Sequence, residues 1–263
     1  MTEPDTPHVA ALYRYPVKGL SPENLPRIVL SPGATFPADR LYAIENGPSG
    51  FDPEKPSYLP KTQFLMLMRN ERLAALRTRY DEDKHCLTIE LNGRDVEEGD
   101  LRTAFGRENI ENFFRDYCAA ELRGPPRVLA APDHSFSDVA AKVVSIINLA
   151  SVRALESVIG RPVDPLRFRG NMHVEGWPAW HEFTLLGQTI AIGQVRLKIV
   201  KRIVRCAATN VDPQSAARDM EIPKTLLQTY GHADCGVYAQ VVTGGTIAEG
   251  DAIDNTVAQP RLI

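Results

Sequence analysis

The chain has 263 residues, 43% hydrophobic and 24% charged, an ordinary balance for a globular protein of one large domain or two smaller ones. A net charge of −3 and an isoelectric point near 6.1 exclude the strongly basic footprint of a nucleic-acid binder. No stretch approaches the ~20 apolar residues of a membrane span. The acidic opening MTEPDTPHVA has no apolar signal core, so the cytoplasm is the expected compartment.

The first predicted element is a strand in HVAALYRYPVKGLSP, residues 8 to 22, rich in strand formers and stopped by Pro16 and Gly19. Lys18 and Gly19 fall in the turn that follows. NLPRIVLSPGATFPADRLYAIENG reads as strand, Pro/Gly turn and strand, with Arg40 at the start of the second. In CLTIELNG, Cys86, Thr88 and Glu90 share one strand face and Leu87, Ile89 and Leu91 the other. The clearest helix is residues 108 to 122, where Ile110, Phe113, Phe114, Tyr117 and Cys118 recur at helical spacing. That stripe assigns Cys118 to the core. The Pro-rich segment 123–138 reads as a linker.

A second helix follows in NLASVRALESVIG, capped by Asn148, apolar along Val152, Leu155 and Ile159, and stopped by Gly160 and Pro162. From residue 183 the pattern turns to strands, with Gly187, Gly193, Gly244 and Gly245 where turns are needed. Between 195 and 206 the apolar face switches after Ile199, which predicts a bulge. Many short strands and few helices imply a mainly β fold of α+β type, barrel-like, with a few packed helices.

Several residues carry chemistry. Lys18, Arg40, Arg167, Arg169 and Arg205 lie near polar turns. Guanidinium forks bind phosphate oxygens bidentately, and Gly19 lets backbone N–H groups approach a ligand; the competing reading is solvated surface charge. Cys206 follows Arg205 in RIVRCAATNVDP, and a neighbouring guanidinium favours the thiolate, which attacks electrophiles or ligates soft metals. On the residues alone, a metal ligand, a redox nucleophile and a structural thiol all stay open. Asp212 is either the turn residue of an Asp-Pro pair or a proton carrier. His173, His181 and His232 are too scattered for a zinc motif. There is no G-x-G-x-x-G after a strand and no Walker sequence, which excludes nucleotide readings. The four cysteines, Cys86, Cys118, Cys206 and Cys235, form no C-x-x-C pair or iron–sulfur spacing. They are expected as free thiols, and any redox role would need electrons from another molecule.

LYRYPVKGL, ADRLYAI, RFRGN, RCAATNVDP and GVYAQVVTGGTIAEGD occur in that order. Together they resemble the MOSC-domain proteins, in the branch with an N-terminal β-barrel domain that includes the mitochondrial amidoxime-reducing component and its bacterial relatives. The resemblance implies an N-terminal β-barrel-like domain over residues 1–120 and a MOSC β-barrel over 121–263. It further implies a molybdenum cofactor (molybdopterin) whose metal is bound by Cys206. The implied cofactor contacts are Lys18, Gly19, Arg40, Asn148, Ser151, Arg167, Arg169, Asn171, Arg205 and Tyr238, with Asp212 beside the reacting centre. The implied activity is reduction of N-hydroxylated compounds such as amidoximes and hydroxylamines, supplied with electrons by a separate electron-transfer protein, since no ferredoxin-like segment follows the barrel. A non-catalytic carrier of the cofactor or of sulfur is the other reading, and pyridoxal phosphate binding is a further family-level one. Two positions depart from the pattern. Gly19 replaces the serine of YPVKS, and Val204 stands where a small polar residue precedes the arginine.

Overall fold

The structure, a computed structural model, describes residues 6–255; the expectations drawn from the two chain ends fall partly outside that range. The N-terminal half contributes β1 (His8–Arg14), β2 (Glu23–Asn24), β3 (Arg27–Leu30), β4 (Ala43–Asn46), β5 (Leu76–Asp81), β6 (Cys86–Leu91), β7 (Arg94–Asp100) and helix α1 (Ala104–Tyr117). Then come β8 (Pro126–Leu129), β9 (Val144–Asn148), helix α2 (Leu149–Ile159) and β10 (Met172–Glu175). The last part holds β11 (Thr189–Ile192), β12 (Val195–Val204), helix α3 (Ile222–Tyr230), β13 (Asp234–Thr243), β14 (Gly245–Ala248) and β15 (Ile253–Asp254). The fold is mainly β, built on a curled half-barrel sheet.

That sheet has eight strands in the order β15-β11-β12-β13-β9-β10-β1-β2. β9, VSIIN, is buried along its whole length because it lies between β13 and β10, the latter parallel to it and joined through α2. β1 is recruited from the far N-terminus and pairs antiparallel with β10. Leu12, Ile146, Met172, Leu197 and Val237 are among the residues that fill the concave side, since alternation along each strand turns every second side chain inward. A second core gathers Leu73, Leu76, Leu87, Ile89, Ile110 and Phe114 between the β5-β6-β7 meander and α1. Cys118 is fully buried there, as its helical stripe predicts.

The bulge appears where the apolar face switches: the β12–β13 register shifts between Ile199 and Lys201. α1 begins earlier than its apolar stripe, because the Thr103 side chain accepts from the Gly106 N–H and caps the first turn. α2 starts and stops as expected, with Asn148 accepting from Ala150 N–H and Gly160 closing it at φ 78°. Two expectations fail. The Pro-rich segment is no free linker, since Pro126–Leu129 pairs antiparallel with Ala43–Asn46. α3 lies within a region read as strands; it spans only nine residues and buries only Ile222 and Leu226, too short a stripe to show a period. All four cysteines are free thiols. Among the described residues no helix is long and apolar enough to cross a membrane.

Candidate functional site

A cleft of ≈ 240 Å³ opens between the end of β12, the turn after β1 and the segments around Lys61–Met68 and Ser137–Val143. Eight cationic side chains line it (Lys18, Arg40, Lys61, Arg167, Arg169, Lys201, Arg202 and Arg205), against the carboxylates of Asp39 and Asp138. In a chain of net charge −3, such a concentration marks a place for an anion.

Tyr15, fully buried, organises two of these cations. The Arg40 guanidinium lies 4.4 Å from its ring centroid and that of Arg169 4.2 Å, so one π-face system serves two like charges. Arg40 pairs with Asp39 and donates to the Arg169 carbonyl at 3.0 Å. Arg169 donates from Nη1 to Leu20 O at 2.8 Å, while its buried Nη2 has no hydrogen-bond partner among the described residues. Burial, and then the charge of Arg40, pull Arg169 down to about 10. Arg205 donates to carbonyls, Cys235 O at 2.7 Å and Phe168 O at 2.8 Å, with the Phe168 ring 5.3 Å away, and burial lowers it too. Among the described residues, neither Arg169 nor Arg205 has a carboxylate within 4.0 Å. Two partly buried guanidiniums with no carboxylate in ion-pair contact constitute a standing cost that an anionic ligand would relieve.

Lys18 is 5% exposed. It donates to Phe136 O at 2.8 Å and to Asp138, and burial draws its ammonium below the ordinary lysine value. Burial alone would raise the Asp138 carboxyl, but Lys18, Lys61 and Arg40 hold it down at about 2. A carboxyl depressed in the folded state stabilises the fold above its unfolded value and loses that contribution as the pH falls through the folded one. Asp138→Asn should therefore be less stable than the parent at neutral pH, and the gap should close as pH falls from about 4 to about 2. Urea unfolding across that range checks it.

Cys206 is half-buried at the N-terminal edge of a short helical turn, Ala207–Asn210. The Thr209 hydroxyl donates to its carbonyl at 3.0 Å. Arg167, 4% exposed, braces the far end of that turn: it donates to Asn210 O at 3.3 Å and pairs with Asp212 and Asp219, each at 2.8 Å. Gly19 takes φ +85°, and a Cβ there would lie 2.8 Å from Leu65 O. Glycine in place of serine is thus what this backbone requires.

Nine of the residues singled out from the sequence line the cleft: Lys18, Gly19, Arg40, Arg167, Arg169, Asn171, Arg205, Cys206 and Tyr238. Asn171 does so with its side chain spent on Ser145 and the Tyr13 carbonyl. Tyr238 is partly buried, and burial raises its phenol despite Arg205. Three others are not brought to the cleft wall. Asn148 and Ser151 are fully buried and bind Glu182, Asn148 at 2.8 Å and Ser151 at 2.9 Å, with Trp180 N–H donating to Ser151 at 2.8 Å. Asp212 binds Gln214 N, Ser215 N and Ser215 Oγ through one oxygen and Arg167 through the other. It acts on the site by fixing Arg167.

Sequence reasoning missed Tyr15, Lys61 and Asp138. The Lys61 ammonium lies 3.8 Å from Asp138 and lines the same cleft as Cys206. Burial would lower it, but Asp138 and Cys206 outweigh that and raise it. No local signal marks it, since its partners lie far along the chain.

Family models for the MOSC N-terminal beta barrel domain and the MOSC domain match residues 6–121 and 131–254. The chain belongs to the MOSC proteins. Two curated relatives of this MOSC protein are the mitochondrial amidoxime-reducing component 1 of Mus musculus, 29% identical over 120 residues, and the mitochondrial amidoxime reducing component 2 of Bos taurus, 29% identical over 122. The matches cover 41% and 42% of this chain but only 35% and 36% of the relatives' own length. Similar solved structures include the YUAD protein from Bacillus subtilis (TM-score 0.44, 13% identity, 94% of each chain). Another is YiiM from Geobacillus stearothermophilus (TM-score 0.35, 20% identity, 43% of this chain and 54% of the other).

Proposed function

We propose that this MOSC protein holds a molybdenum cofactor in the cationic cleft and reduces N-hydroxylated compounds such as amidoximes and hydroxylamines, with electrons supplied by a separate protein. The observation that carries the reading is the pairing of a half-buried thiol with partly buried guanidiniums that no carboxylate pairs directly, in one cleft: Cys206 beside Arg205, and Arg169 with its buried Nη2 unpartnered. The donor set fits the group. A single soft thiolate suits a metal that already carries sulfur ligands, and fork-shaped donors suit a phosphate. Family-named relatives that reduce amidoximes support the same direction.

In this reading Arg169 would offer Nη2 to the pterin phosphate, and Arg40 and Tyr15 keep that guanidinium in place. Arg205, Tyr238 and Lys18 would help hold the pterin, and the Cys206 sulfur would be the protein's ligand to the metal. When bound, the cofactor would supply the two electrons of the reduction. Overall, R–NH–OH, two electrons and two protons give R–NH₂ and water. Lys61, its ammonium raised by Asp138 against burial, would hold a proton at Nζ on the cleft wall it shares with Cys206, where the departing oxygen needs one. Met66 and Met68 supply an apolar wall that limits water.

The test is protein made in a host that produces the cofactor. Metal analysis should find molybdenum near one per chain, and a dithionite-reduced viologen should drive benzamidoxime to benzamidine. Protein without molybdenum or pterin from such a host sinks the reading; molybdenum without turnover favours the carrier.

A further inference from the structure

Arg218 lies between the Cys206 turn and α3 and reaches back to the N-terminal half. Its guanidinium donates to Leu67 O at 3.0 Å and Met68 O at 2.8 Å, to the Glu71 carboxylate at 3.0 and 3.2 Å, and to Ala207 O at 3.2 Å. Among the described loop hydrogen bonds, no backbone N–H takes the Leu67 or Met68 carbonyl. One side chain therefore satisfies two acceptors of the segment that forms the apolar wall. Ala207 directly follows Cys206, and Leu67, Met68 and Cys206 line the same cleft. The ion pair with Glu71 is a third exposed on the arginine side and contributes little by itself. The carbonyl bonds give the arrangement its direction, because the planar fork spans acceptors that a point charge cannot.

We propose that Arg218 is a positioning residue: it struts the Met66–Met68 lip against the Cys206 turn and so sets the size of the group that reaches the sulfur. Leu67 packs onto the N-terminal core and anchors the lip. Met68, partly exposed, is the side chain that meets the incoming molecule, and its flexible thioether favours flat, apolar substituents. The consequence for turnover rests on the proposed function; the gating of Cys206 does not.

The cofactor-free 263-residue chain suffices for the test. Alkylation of Cys206 by iodoacetamide and by N-(1-pyrenyl)maleimide is followed by peptide-resolved mass spectrometry. The ratio of the two rates removes any change in thiolate fraction, which acts on both reagents. Buried Cys118 reports whether the fold has loosened. Arg218→Ala should raise the bulky-to-small ratio about tenfold, the scale on which apolar pockets discriminate size. Met68→Ala should raise it with Arg218 intact, and Arg218→Lys should fall between parent and alanine. A parental ratio in both alanine variants overturns the proposal. If Arg218→Ala exposes Cys118, Met68→Ala decides, and a parental ratio there overturns it equally. In loaded enzyme the same variants should raise kcat/KM for a bulky amidoxime relative to a small one. Absence of any turnover would count against the proposed function and leave the alkylation result standing.

Discussion

Cys206→Ala is expected to abolish molybdenum retention and amidoxime reduction while leaving the fold nearly as stable as the parent. The sulfur is half-buried at a cleft mouth and belongs to none of the core clusters, so its loss leaves little cavity; stability should change by no more than about 1 kcal/mol. Removing the one cysteine sulfur that lines the cleft among the described residues should cost metal affinity at least the ~100-fold that loss of an outer-shell partner costs a metal site. Arg169, Arg205 and Lys18 remain in place, so pterin should be retained better than metal. Metal analysis, pterin fluorescence and a denaturation midpoint, measured on one preparation, check all three. Parental molybdenum content with a parental rate would remove Cys206 from its assigned role.

Gly236→Ala should be the most damaging single-methyl change near the site. Gly236 sits in β13 at φ +80°, and an added Cβ would lie 2.4 Å from Ile146 O, 2.8 Å from Ile147 Cδ1 and 3.1 Å from Arg205 Nη2. Left-handed backbone at a non-glycine residue costs about 1–3 kcal/mol, and overpacking a tight interior adds about 1–3 kcal/mol. The expected loss is therefore about 2–6 kcal/mol. It comes with a displaced Arg205, because the methyl presses on the guanidinium that the Cys235 and Phe168 carbonyls hold. Gly160→Ala is the control: φ is +78° but nothing lies within 4 Å of the added carbon, so only the backbone term of roughly 1–2 kcal/mol remains. Denaturant midpoints separate the two variants. Equal losses would show that the approach to Ile146 is not what holds glycine at 236.

Such contacts separate what a single chain displays from what it conceals. Alternation in CLTIEL, the helical stripe from Ile110 to Cys118, the Asn148 cap and the switch of face after Ile199 are all local. Each depends on neighbours within a few residues, and each appears in the fold where the pattern puts it. α3 escaped because two buried residues make no period, and β8 because its partner, β4, lies some eighty residues upstream. Asn148 and Ser151 show the limit at the site. Their position at a helix start is legible, but their side chains go to Glu182, from a distant turn, instead of to the cleft.

The sequence by itself determined the mainly β class, the free thiols and the chemical character of the site: a cysteine beside an arginine, with further arginines bounded by proline and glycine. Periodicity and residue chemistry are carried by the residues themselves, so they can be read in order along the chain. Only the tertiary structure decided that the Tyr15 ring would meet both Arg40 and Arg169, that Lys61 would approach Asp138 in the cleft that Cys206 lines, and that Arg218 would collect the Leu67 and Met68 carbonyls. These are meetings of groups far apart in sequence, and packing of two separate cores, not local preference, brings them within a few ångströms.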